Sequence, residues 1–214
     1  MPRKAGILDS FTRADAGNPG ANWSQRPNND GAANFDLVSN ALKTNTFAAN
    51  WWNANSYDGT SLSLEQGVLL TTAPTTTGRS VGGGMVKTPS SSSSTSNGYS
   101  WSLTRAATND TYSIDRYDNG VPTTIKSGSF SGHMPSGVIV MLRRISGGGI
   151  TLLYDSGGTE TVIDTVTDAT HGGSGWYGFL SAYDNNVAIL DDFSMGTFAA
   201  FATYTKTGTG IIGP

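Results

Sequence analysis

No cysteine occurs in the 214 residues, and glutamate occurs only twice, as Glu65 and Glu160. The first absence excludes a disulfide scaffold and a thiolate-ligated metal centre. Charge is scarce as well, at 14% of residues against about a quarter in a typical soluble domain. The strong helix formers Glu, Lys and Gln are therefore few. Serine and threonine make up about a quarter of the chain, and glycine contributes 28 residues. These residues compete with helices or break them, so an all-β protein is predicted. The formal net charge is -3, with no basic run, which removes the electrostatic footprint of a nucleic-acid partner. Long apolar runs are missing too. The longest, 137–142 and 149–154, fall far short of the roughly 18 residues that would span a bilayer, so no membrane partner is expected. The opening Met1-Pro-Arg-Lys-Ala-Gly has no apolar segment behind its basic residues and does not read as a secretory signal. Yet low charge, abundant Ser, Thr, Gly and Asn, five Trp and eight Tyr are the composition of an extracellular surface. A virion component released by lysis satisfies both observations. An excised module of a secreted protein is the alternative.

What is present is a succession of short strand patterns, spaced by turn signals, as in a sandwich or barrel. Thr111–Tyr117 and Val121–Ser127 flank Asp118-Asn119-Gly120, a hairpin signal. Val138–Ile145 is apolar on both faces up to its paired arginines and is predicted to be central. Ile150–Asp155 and Thr159–Val166 follow, the latter alternating in a way that predicts a less buried position. Trp176–Tyr183 and Val187–Ser194 complete the C-terminal half. In the N-terminal half Gly6–Arg13 is a strand candidate, and Ala33–Val38 with Ala41–Phe47 read as a hairpin about Ser39-Asn40. Ala48–Tyr57 follows, then Ser61–Leu64 and Val68–Thr72 to either side of Gly67, and Tyr99–Thr104. Residues 88–98, a serine-rich run, are predicted to be an exposed loop.

Ile7-Leu-Asp-Ser-Phe11 near the start echoes Ile189-Leu-Asp-Asp-Phe193 near the end. The echo predicts that both ends form neighbouring strands of one sheet. The same segments carry a family resemblance. Asp9-Ser-Phe-Thr-Arg-Ala-Asp15 followed by Gly20-Ala-Asn-Trp23 resembles the opening of concanavalin A-like (laminin-G-like) jelly-roll domains. Gly175–Leu180 and Leu190-Asp-Asp-Phe-Ser-Met-Gly196 resemble their close, and Val140–Ile145, Thr151–Tyr154 and Val162–Asp164 fit their central strands. The resemblance implies an all-β, two-sheet antiparallel jelly-roll sandwich, of a type common in tailed-phage virion proteins and in secreted carbohydrate-binding proteins. A fold of this kind hosts lectins, glycanases, adhesins and passive modules, so function must come from residues.

Glycoside hydrolysis needs two facing carboxyls, and the glucanases of this fold carry a Glu-x-Asp-x(-x)-Glu strand motif. Here Glu65 reads as a loop edge and Glu160 as a strand start, Asp115 and Asp118 straddle a hairpin, and Asp191 and Asp192 point to opposite faces. No catalytic residue is assigned, and the chain is read as a non-enzyme. His133 and His171 lie among glycines with no nucleophile elbow. Gly208-Thr-Gly210-Ile-Ile-Gly213 matches a dinucleotide fingerprint but has no following helix to receive a pyrophosphate. No cofactor is required. The resemblance implies a possible structural Ca2+ near the first and last strands, with Asp9, Asp191 and Asp192 as its ligands. Pairing of Asp9 with Arg13 is the alternative. The densest aromatic–polar cluster is Trp51, Trp52, Asn53, Asn55, Tyr57 and Asp58, with Trp101 as a further member. It is a carbohydrate-binding candidate, since flat rings stack on sugars while Asn and Asp bond hydroxyls. Core packing is the competing reading, and Trp23 and Trp176 are assigned to structure.

The domain is placed at residues 1–198, with 1–5 a basic N-terminal segment. Residues 199–214 form an apolar, nearly uncharged arm. Phe198, Phe201, Tyr204, Ile211 and Ile212 are its docking residues. The sequence reading is a non-enzymatic virion structural protein of a tailed phage, a capsid decoration or auxiliary protein at the virion surface. Its partners are other virion proteins and further copies of itself, and weak adhesion to a cell-surface glycan is its possible activity. A secreted carbohydrate-binding module is the alternative, and a glycoside hydrolase of the same fold the third.

Overall fold

The computed structural model describes residues 7–17, 19–25, 35–43, 47–52, 57–58, 63–87, 96–145, 147–183 and 188–198. All regular structure among them is strand. The elements are β1 (Ile7–Asp9), β2 (Trp23–Gln25), β3 (Asp36–Leu37), β4 (Leu42–Lys43), β5 (Phe47–Trp52), β6 (Tyr57–Asp58), β7 (Ser63–Thr72), β8 (Ser80–Val86), β9 (Gly98–Thr104), β10 (Thr111–Asp118), β11 (Val121–Ser129), β12 (Val138–Arg144), β13 (Gly149–Ser156), β14 (Thr159–Thr167), β15 (Ser174–Tyr183) and β16 (Ile189–Phe198). They form two antiparallel sheets. The first runs β14-β13-β12-β7-β16-β4-β3, with β1 also on β16. The second runs β11-β10-β9-β8-β15-β5-β2, with β6 also on β15.

One side of each sheet is apolar at every second residue, as half-buried strands require. Val138, Val140 and Leu142 of β12, Leu64, Val68 and Leu70 of β7, and Ile150 and Leu152 of β13 face inward from the first sheet. Val81, Met85, Tyr99, Trp101, Leu103, Ile114, Trp176 and Leu180 meet them from the second. Glycines make room where the layers are thick. A Cβ on Gly178 would stand 2.5 Å from the Phe193 ring.

The hairpins follow their turn residues. Asp118 pairs directly with Val121, and the two loop residues between them, Asn119 and Gly120, have φ of 50° and 80°. That is the type I′ geometry whose twist matches the strands. Ser39 and Asn40 take the same left-handed conformation, at 53° and 60°, in the β3–β4 connection. The Val138–Ile145 expectation holds, because β12 lies between β13 and β7. So does the shallower burial of Thr159–Val166, because β14 is an edge.

The echoing ends meet as predicted. Ile7 pairs with Ser194 and Asp9 with Phe193. Asp9 is the hub of that closure. Its Oδ1 accepts from Phe11 N at 2.8 Å and Arg13 Nη1 at 2.7 Å, and its Oδ2 from Arg13 Nη2 at 2.9 Å and Trp23 Nε1 at 2.8 Å. Trp23 stands edge-on to Phe193, centroids 4.9 Å apart. The opening motif Asp9-x-Phe11-x-Arg13 … Trp23 is thus a structural clasp. It also ends β1 after Asp9, short of the predicted Arg13, because Phe11 turns the chain with φ of 53°.

Two strand assignments need correction. Gly67 does not break a strand: β7 runs unbroken from Ser63 to Thr72, because Gly67 is paired with Met141 on one side and Ser194 on the other. Glu65 consequently lies within β7 rather than at a loop edge. β8, with its Gly82-Gly83-Gly84 run, carries no sequence signal for a strand, yet it is the interior neighbour of β9 and β15. The predicted loop over residues 88–98 gives way at its end to β9, which begins at Gly98; residues 88–95 lie outside the described residues. The basic segment 1–5 and the arm residues Phe201, Tyr204, Ile211 and Ile212 lie outside them as well. Phe198, the last residue of β16, is described by its backbone pairing with Ser63 alone.

Candidate functional site

The side of the second sheet turned away from the core has an unusual chemistry. Register places its residues in rows across the strands. Phe179, Gly84, Ser100, Asp115 and Thr124 form one row, and Ser181, Gly82, Ser102, Ser113 and Ser127 the next. Tyr177, Val86, Gly98, Tyr117 and Pro122 form a third. Asp115 is the single charged residue in these rows. Its Oδ2 accepts from Ser113 Oγ at 2.7 Å and its Oδ1 from Thr124 Oγ1 at 2.6 Å. Ser113 Oγ is also 3.0 Å from Ser102 Oγ. Phe179, Val86 and Ser100 are buried, whereas Ser102, Ser113, Asp115, Tyr117, Tyr177 and Ser181 are half-buried and Thr124 is exposed. The accessible part therefore runs over β9, β10 and β11, a strip of hydroxyls around one fixed carboxylate. Such groups donate to and accept from the hydroxyls of a polar ligand. Acid–base hydrolysis of a glycoside needs two facing carboxyls, and in these rows Asp115 stands alone.

The sequence reading missed this strip. Its signal was present as alternation, Ser100-x-Ser102 and Ser113-x-Asp115, but only register brings the pairs side by side.

At one end of the sandwich, residues 168–173 link β14 to β15 and tie the sheets together. Tyr99 Oη donates to Asp168 Oδ1 at 2.9 Å, and His171 N donates to Tyr99 Oη at 3.1 Å. Arg116 donates from Nη1 to Asp168 Oδ2 at 2.7 Å and from Nε to Asp118 Oδ2 at 2.8 Å. His171 Nε2 stands 2.9 Å from Asp118 Oδ1. Burial alone would raise the Asp168 carboxyl, but hydrogen bonds from Thr170, Arg116 and Tyr99 together outweigh it. They hold the group well below the usual carboxylate range. Burial, aided by Asp168, pushes the Tyr99 hydroxyl up to about 12.

The predicted site residues divide sharply. Asn53 and Asn55 lie outside the described residues. Trp51, Trp52, Tyr57 and Asp58 are described by their backbone pairing: Trp51 opposite Phe179, Trp52 opposite Trp23, Tyr57 opposite Trp176 and Asp58 opposite Ser174. Trp51 thus continues the Asp115 row. Trp101 is corrected to a core residue. It is 2% exposed, faces the first sheet and donates from Nε1 to Gln66 Oε1 at 2.9 Å. Trp23 and Trp176 are buried, in keeping with a structural role.

The predicted calcium ligands do not form a cation cage. Both Asp9 oxygens are filled by the four donors described above, a guanidinium among them, leaving no lone pair for an ion. Asp191 Oδ1 accepts from Asp192 N at 2.7 Å, and Asp192 occupies a bulge with φ of 48°. Among the described residues no group of three or more Asp, Glu or His is placed to hold a metal. The alternative reading, a carboxylate matched by Arg13, describes Asp9.

No protein-family signature matches the chain, and no curated protein sequence matches it. Solved structures do. The exoplasmic/lumenal domain of VIP36, in a Ca2+/Man3GlcNAc-bound form, superposes with a TM-score of 0.61 at 12% identity, covering 86% of each chain. The CBM2 module of the evolved Dit of Lactobacillus casei BL23 phage J-1 gives 0.59 at 9% identity, over 92% of this chain and 98% of that one. The legume lectin-like domain of Entamoeba histolytica gives 0.55 at 9% identity, over 84% and 90%. Two antiparallel sheets, closed by pairing of the first and last strands and matched over nearly the whole of these domains, give the chain the legume lectin-like, concanavalin A-like jelly-roll fold.

Proposed function

We propose that this chain is a non-enzymatic glycan-binding domain, carried at the surface of a tailed-phage particle as an auxiliary structural protein. The observation that supports it most is the hydroxyl strip of β9–β11, with Asp115 held between Ser113 and Thr124. A solvent-facing sheet side with one charge and a fixed acceptor suits a ligand made of hydroxyls. The fold is shared with a mannoside-bound lumenal domain and with a carbohydrate-binding module of a phage Dit. Trp51, an aromatic candidate from the sequence, pairs by its backbone with Phe179 in the Asp115 row.

The direct test is a glycan array followed by calorimetric titration of the best glycan. Asp115→Ala should weaken that binding about tenfold, or ~1.4 kcal/mol, the size of one charged hydrogen bond. Its melting temperature should match that of the parent. Failure to bind any glycan, or equal affinity in the variant, removes the assignment. The particle role has its own test. Residues 199–214 are proposed to dock the domain on its partner, through Phe201, Tyr204, Ile211 and Ile212. A chain ending at Phe198 should fold and bind glycan normally but be missing from purified particles. Normal incorporation would reject the docking arm.

A further inference from the structure

At the end of the sandwich spanned by residues 168–173, three strands bring two cations to one indole ring. Lys87 follows β8, Arg144 ends β12, and Trp176 belongs to β15. Lys87 Nζ lies 5.3 Å from the centroid of the Trp176 ring, and Arg144 Cζ also lies 5.3 Å from it. The ring is fully buried and stacks on Tyr99 at an interplanar angle of 15°. It gives the cations a fixed wall and a favourable quadrupole. The chain beside them is Gly172-Gly173. A Cβ on Gly173 would stand 3.1 Å from Lys87 Nζ, and one on Gly172 would stand 3.5 Å from Arg144 Nη2. Backbone thus comes close to Lys87 at Gly173 and into ordinary contact range of Arg144 at Gly172. Trp176 Nε1 donates to Gly173 O at 2.7 Å and pins that approach.

Both described carboxylates at this end are already engaged. Asp168 and Asp118 are engaged by Arg116, with Asp118 also facing His171. Arg144 donates from Nε to the His171 carbonyl at 3.0 Å. Lys87 makes no ion pair among the described residues. Burial, and then the charge of Arg144, lower its pKa. The ammonium and the guanidinium share one ring and repel each other, and an anion bound at Lys87 would offset that repulsion.

We propose that Lys87, backed by Arg144 and the Trp176 ring, forms an anion subsite for the carboxylate or phosphate of an acidic saccharide unit. The saccharide carrier rests on the glycan-binding reading; the anion recognition rests on the Lys87 geometry alone. Lys87 is the residue directly after Val86, which belongs to the same row as Tyr117 and Tyr177. An acidic unit here would continue a chain lying along the hydroxyl strip.

The test is an NMR titration of the full chain, reading the Trp176 Nε1 indole resonance against glucuronate, glucose 1-phosphate and glucose. One or both of the anionic sugars should shift that resonance saturably while glucose does not; which of them does so identifies carboxylate or phosphate as the natural group. Lys87→Ala should weaken the anionic ligand about tenfold, Lys87→Arg should restore it, and Lys126→Ala should leave it unchanged. Equal affinity in Lys87→Ala, or equal response to glucose, overturns the subsite. If glycan binding through Asp115 persists in that case, the glycan reading stands without the subsite. If the anions bind through Lys87 and no glycan binds through Asp115, the subsite stands and the glycan reading falls.

Discussion

Replacing Trp101 with alanine will destabilise the fold by about 3–5 kcal/mol. The side chain is 2% exposed, in an interior strand of the second sheet, with the first sheet directly opposite. Its removal leaves a cavity that the two sheets cannot close without shifting register. It also strips the donor from Gln66 Oε1, and the Nε2 of the same fully buried carboxamide already has no hydrogen-bond partner among the described residues. Trp101→Phe keeps most of the volume and should cost about 1–3 kcal/mol, the penalty of one stranded buried acceptor. Adding Gln66→Leu to Trp101→Phe should recover much of that, because removing both partners of a buried bond is far less costly than removing one. Urea denaturation followed by circular dichroism measures all three. A Trp101→Ala chain of parental stability that had lost glycan binding would return Trp101 to the binding surface.

The second large effect is expected at Arg143. On the outward side of the first sheet its Nε donates to Glu65 Oε2 at 2.5 Å, and its Nη1 and Nη2 grip both Glu160 oxygens at 2.7 and 2.6 Å. Burial works against the guanidinium charge, but Glu160 and Glu65 outweigh it and hold the group more firmly protonated than usual. Glu65 is fully buried, whereas the Glu160 side chain is 23% exposed. Arg143→Met therefore takes the guanidinium away from a fully buried Glu65 and should cost about 3–5 kcal/mol, while Glu160 can turn to water. Arg143→Met combined with Glu65→Met should be markedly more stable than Arg143→Met alone, since a buried pair replaced by apolar groups of similar volume costs little. Equal losses in the single and double variants would show that packing, not charge, dominates at this position.

These two predictions also mark where sequence and structure part. The scarcity of glutamate argues against a glucanase strand motif. The structure gives both glutamates a purpose, because they clamp one arginine across β7, β12 and β14. No local pattern links Glu65 to Arg143 and Glu160. The contact exists because Arg143 is registered with Glu65 on one side and Thr151 on the other. Trp101 shows the same limit. Period-two alternation puts Tyr99 and Trp101 on one face of β9, but the choice between core and solvent is made by what lies opposite, and Gln66 and the first sheet lie there.

By itself the sequence determined the fold class, the hairpin turns at Asn119-Gly120 and Ser39-Asn40, the interior position of β12, the edge position of β14 and the meeting of the two ends. The turns and strand positions are written in short windows, as turn residues or alternation of apolar side chains; the fold class is written in overall composition, and the meeting of the ends in an echo between two distant segments. Tertiary structure alone decided that Gly82-Gly83-Gly84 is an interior strand, that Asp9 serves Arg13 and Trp23 instead of a cation, and that Ser102, Ser113, Asp115 and Thr124 form one strip. The reason is physical. A glycine strand has no side-chain pattern to read and is held only by the backbone of its neighbours, and a carboxylate takes its role from whichever donors distant strands bring to it.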